Sequence, residues 1–99
     1  MSPSRPLETP AAAEAASTYC FAVQAVADPG VLPRVMALFA KRNLVPTKWH
    51  SAVIGQGGED LQVDIQMEGI EAELAAYIAR CLRQIYGVDS VLTSTKTAG

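Results

Sequence analysis

Leu61 to Glu68 alternates without a break: Leu61, Val63, Ile65 and Met67 are apolar, and Gln62, Asp64, Gln66 and Glu68 are polar. Side chains leave a strand by opposite faces in turn, so this run is a strand with one dry face and one wet face. Such a strand belongs in an antiparallel sheet covered by helices on one side only. The rest of the chain must supply those helices and the neighbouring strands.

Thr18 to Ala27 alternates as well, with Tyr19, Phe21, Val23, Ala25 and Ala27 on one side. Its other side (Cys20, Ala22, Gln24, Val26) is less polar than a solvated face, which predicts a central strand. Pro29 to Arg42 then reads as a helix with a stripe of Val31, Leu32, Val35, Leu38 and Phe39. Its start is open between two caps. Asp28 is a good N-cap with Pro29 as the first helical residue. A cap at Gly30 would instead leave Pro33 in the first turn, where it costs little. Asn43 suits a left-handed stop. Leu44 to Ile54 reads as a strand whose early Pro46 argues for an edge position or a bulge. Gly55 to Gly58 closes a hairpin. Ile70 to Gln84 is a second helix, with Ile70, Leu74, Ile78, Cys81, Leu82 and Ile85 inward, and Gly87 ends it. Val88 to Thr93 is the last strand.

The order βαββαβ with right-handed crossovers gives an α+β, ferredoxin-like fold: a four-stranded antiparallel sheet with two helices on one face. Residues 1–17, with Pro3, Pro6 and Pro10, read as a flexible tail, 18–94 as the domain and 95–99 as a C-terminal tail. Ninety-nine residues make one domain with a modest core, so pairing with a second copy would help it.

Hydrophobic residues are 49% of the chain and charged ones 18%, a surface low in charge that hints at an interface. The net charge of −2 and scattered Lys and Arg argue against a nucleic-acid partner. No apolar run reaches the ~18 residues of a membrane span, and no secretory signal opens the chain. Cys20 and Cys81 read as reduced thiols in a cytoplasmic protein. Neither they nor His50 have metal-ligand spacing, so no metal and no cofactor are expected. Asp64 and Glu68 read as a polar sheet face rather than a catalytic pair. Trp49 either fills the core or packs at a subunit contact, and Tyr77 covers the rim of the second helix.

One segment points to binding. A helix N-terminus after Asp28-Pro29-Gly30 presents bare N–H groups and a favourable dipole to an anion such as a carboxylate. Gly30 lets another chain or a small molecule come close to the backbone.

The run Asp28, Pro29 to Leu32, Arg34-Val35, Leu38-Phe39 and Lys41-Arg42 resembles the ACT domain family over about Tyr19 to Thr93. Within it, the chain is similar to the small regulatory subunits of acetolactate synthase, in their short single-ACT form. The resemblance implies a non-catalytic regulatory domain that pairs side by side into an eight-stranded homodimer sheet, or assembles further. It implies an amino-acid effector such as valine and a catalytic large subunit as partner. Asp28 would hold the effector's ammonium group, Gly30, Val31 and Leu32 its carboxylate beside Pro29, and Val45, Pro46 and Thr47 of the other copy its side chain. Those subunits show Asn-Ile-Glu-Ser where this chain has Val45-Pro46-Thr47-Lys48, and the polar part of the cage is missing. The alternative is therefore a ligand-free dimerisation module that supports a catalytic subunit. An acyl-phosphate hydrolase of this fold would need a phosphate-cradling loop beside an Arg; Arg34 follows the loop on a helix side read as solvated.

Overall fold

A computed structural model describes residues 17–97. The expected N-terminal tail, apart from Ser17, and the last two residues lie outside them. The elements are β1 (Ser17–Val26), α1 (Val31–Ala40), β2 (Lys48–Ile54), β3 (Asp60–Glu68), α2 (Ala72–Arg83) and β4 (Val88–Thr97). The sheet order is β2-β3-β1-β4, antiparallel throughout, with β1 and β3 central. This is the expected βαββαβ architecture.

The two alternating strands supply the floor of the core. Phe21, Val23 and Ala25 of β1 and Leu61, Val63, Ile65 and Met67 of β3 are buried beneath Val31, Val35 and Phe39 of α1 and Ala75, Ile78, Ala79 and Leu82 of α2. Each fully buried aliphatic side chain contributes about 1.5–3 kcal/mol. The other sheet face carries Gln62, Asp64, Gln66 and Glu68, and His50 stands opposite Asp64 across β2 and β3, both exposed.

Several boundaries differ from the reading of the sequence. β1 stops at Val26, and Ala27 is exposed. β2 begins at Lys48 rather than Leu44, because Pro46 lacks a ladder donor and holds Val45 out of regular pairing. Pairing with β3 starts where the Thr47 amide donates to the Gln66 carbonyl at 2.9 Å. β4 runs to Thr97 rather than Thr93, so Thr95 to Thr97 are strand and not tail: they stand opposite Tyr19, Thr18 and Ser17.

Two turns fix the helix ends. Asn43 is left-handed (φ 57°) and returns the Leu44 amide to the Phe39 carbonyl at 3.0 Å, closing α1. Gly87, at φ 100°, lies so close to α1 that a Cβ there would be 2.8 Å from Val31 Cγ2. Only glycine satisfies both the angle and the approach.

Candidate functional site

The segment before α1 is a closed turn. The Val31 amide donates to the Asp28 carbonyl at 3.0 Å, which makes Asp28 to Val31 a β-turn with Pro29 at its second position. The Gly30 amide donates to Asp28 Oδ2 at 3.0 Å. The residue that caps α1 is Gly30 (φ −79°, ψ −10°), and no side chain caps the helix. Of the two starts that the sequence left open, the helix takes the one capped at Gly30 and not the one with Asp28 as N-cap and Pro29 as first helical residue. The Asp28 carboxylate is held two residues along, ahead of the helix, and Pro33 sits in the first turn.

Two of the three amides expected to receive a carboxylate are thus engaged by Asp28 itself. The Leu32 amide has no backbone partner within reach. Nor is the space over Gly30 open. A Cβ there would lie 3.0 Å from the Arg34 guanidinium, which folds back over the turn, approaches Asp28 Oδ2 at 3.9 Å and donates to the Tyr86 carbonyl at 3.4 Å. It also stands 5.7 Å from the centre of the Tyr86 ring. The glycine is used by the chain's own arginine.

Val45, Pro46 and Thr47 lie at the other end of α1, about 15 Å away by the rise of ten helical residues. Within one chain the two halves of the expected pocket do not meet. Around them the surface is apolar: Met36, Phe39, Ala40, Leu44, Val45, Pro46 and Trp49 line a shallow groove of about 260 Å³ between α1 and the approach to β2. Trp49 is half-buried against the core, while Met36 (54% exposed), Val45 (82%) and Val53 (63%) are open. Val53 stands opposite the core residue Leu61, so it is on the helix side of β2. Among the described residues β2 is an edge strand with its outer ladder unpaired.

The sequence matches the profile of the ACT-like domain over residues 11–98. The chain belongs to the ACT-like domain family. Solved structures agree on the fold. The ACT domain from GTP pyrophosphokinase of Chlorobium tepidum superposes with a TM-score of 0.66 at 9% identity, covering 78% of this chain and 96% of that one. The C-terminal domain of the MgtC protein from Mycobacterium tuberculosis gives 0.64 at 12% identity, covering 85% and 92%. The regulatory subunit of aspartate kinase from Thermus flavus gives 0.60 at 13% identity, covering 83% of this chain and 52% of that subunit. No curated protein is significantly similar in sequence.

The ACT-like fold places Asp28 to Leu32 in one turn and Val45 to Thr47 at the far end of α1; the sequence reading assigned the latter three to the other copy. Reading the sequence missed Met36 and Val53 as a surface, and it missed the Arg34–Tyr86 contact that fills the turn. Among the described residues no three His, Cys, Asp or Glu gather to hold a metal ion, and Cys20 and Cys81 are free. Among the described residues no helix is long and apolar enough to cross a membrane.

Proposed function

We propose that this ACT-like domain is a non-catalytic regulatory module that works by assembly: two copies join along β2, and the pair serves a catalytic subunit. The observation that carries this reading is that β2 is an unpaired edge with Val53 exposed on it, and that Met36 and Val45 are exposed in the apolar groove beside its approach. Pairing would satisfy the open ladder and cover that apolar surface in one step. A two-fold axis that lays β2 antiparallel to its own copy yields an eight-stranded sheet. It also brings the Val45–Thr47 end of one protomer beside the Asp28–Leu32 end of the other. Sedimentation velocity over a dilution series tests the reading; a monomer at every concentration refutes it.

A second reading adds an amino-acid effector, such as valine, at that seam. The free Leu32 amide and the half-exposed Asp28 carboxylate favour it: the first suits a ligand carboxylate and the second its ammonium group. Against it stand the Gly30 and Val31 amides, already engaged, and the apolar Val45-Pro46 pair, which offers no polar group. Assembly without a ligand is the better-supported form. The resemblance to the short small subunits of acetolactate synthase names the large subunit of such an enzyme as the first catalytic partner to test by co-purification.

A further inference from the structure

We infer that the cleft between α1 and α2 is a docking groove for an acidic, amphipathic helical segment of the partner protein. This rests on the regulatory reading above and gives it a contact surface. The cleft holds about 400 Å³. Its floor is apolar, with Leu38 and Ile85 partly buried against the core and Cys81 beside them. Its rim is Arg34, Lys41 and Arg42, and no carboxylate lines it.

The charge is segregated across the domain. Of the seven Lys and Arg among the described residues, five (Arg34, Lys41, Arg42, Arg80, Arg83) lie on or just after the helices, leaving Lys48 and Lys96 on strands. Most carboxylates lie elsewhere, on strands and loops, and those of α2 are confined to its start, at Glu71 and Glu73. Asp28 with Arg34 is the only ion pair within reach among the described residues, so Lys41 and Arg42 meet none of the described carboxylates.

Arg42 is set in place before any partner arrives. It donates to the Leu38 carbonyl at 3.0 Å and to the Tyr77 hydroxyl at 2.8 Å, and stands 5.0 Å from the centre of the Tyr77 ring. A fixed guanidinium loses little freedom on binding, and its remaining N–H donors suit a carboxylate. An apolar floor with a cationic rim matches a helix that carries apolar anchors on one face and Glu or Asp beside them. Nucleic acid fits less well, because the whole chain is net negative and the groove floor is apolar.

The test is fluorescence anisotropy with the full chain and labelled peptides. The first carries leucines at helical spacing and glutamates elsewhere; the second has lysines in place of the glutamates; the third has serines in place of the leucines. The first is expected to bind saturably and the others at least about tenfold more weakly. Lys41→Glu, an exposed change that leaves the fold alone, is expected to weaken the first peptide about tenfold, and Lys41→Glu with Arg42→Glu further. In a Cys20→Ser background the bound peptide should also slow alkylation of Cys81. Equal binding of the lysine peptide, or indifference to Lys41→Glu, overturns the inference. So does binding of an oligonucleotide duplex or of phosphatidylcholine–phosphatidylserine vesicles (about 4:1) with the glutamate peptide ignored. Because the groove is remote from β2, peptide binding by a monomeric Val53→Asp chain separates failure of the groove from failure of pairing.

Discussion

Val53→Asp tests the pairing surface with little risk to the fold. Val53 is 63% exposed on an edge strand, so the isolated domain loses almost no core when it changes. In the proposed dimer the same side chain is buried twice, once from each copy, because a two-fold interface repeats every contact. Burying a valine fully is worth roughly 2 kcal/mol, and 63% of that, doubled, is about 2.5 kcal/mol. That corresponds to a rise in the dimer dissociation constant of about two orders of magnitude. Desolvating the new carboxylates adds to it, so the figure is a lower bound. Sedimentation velocity over a dilution series reads the shift, and circular dichroism checks that the monomer keeps its structure. Leu92→Asp is the control: Leu92 is 71% exposed but lies on β4, the opposite edge. Val53→Asp with an unchanged dimer, or Leu92→Asp with a broken one, would show that pairing does not run through β2.

Other outcomes follow from the same structure. Gly87→Ala must hold φ 100° with a side chain and push Val31, so a loss of roughly 2–4 kcal/mol in urea unfolding is expected; a loss under 0.5 kcal/mol contradicts the contact. Ile78→Ala, at a fully buried position, should cost about 2–5 kcal/mol by the same measurement. Asp28→Ala should cost about 0.5–1 kcal/mol through the lost Gly30 bond, and Asp28→Asn less, since the amide oxygen still accepts; equal losses would mean that charge, not the turn, matters. In thermal shift against the standard amino acids, ligand-free assembly predicts no stabilisation. A shift with valine that Asp28→Asn removes would establish the effector reading instead.

The sequence revealed the fold more fully than the site, for physical reasons that differ by element. β3 announced itself because both of its faces follow one rule, dry inside and wet outside, and its four inward residues are all buried. The end of β4 gave no such signal. Ser94 to Thr97 is polar on both faces, and only its pairing with Ser17 to Cys20 makes it strand. On α2, Ala75 and Ala79 are buried although a search for bulky apolar residues passes over them. Pro33 left the start of α1 open between two caps, and the turn at Asp28 to Val31 settled it at Gly30. The site depends on contacts between residues far apart in the chain. Arg34 reaches Tyr86 across 52 positions and Arg42 reaches Tyr77 across 35, and no local pattern encodes either. Two of the three amides that seemed available to a ligand in sequence, those of Gly30 and Val31, are answered by Asp28, and Arg34 folds over Gly30, which only the folded chain reveals.

Amide hydrogen exchange of the unaltered chain, followed by concentration, tests the proposed assembly most directly. The account predicts that β2 amides exchange slowly at high concentration and faster on dilution, while those of β4 do not respond. Protection of β4 with β2 unchanged, or no dependence on concentration at either edge, would contradict it.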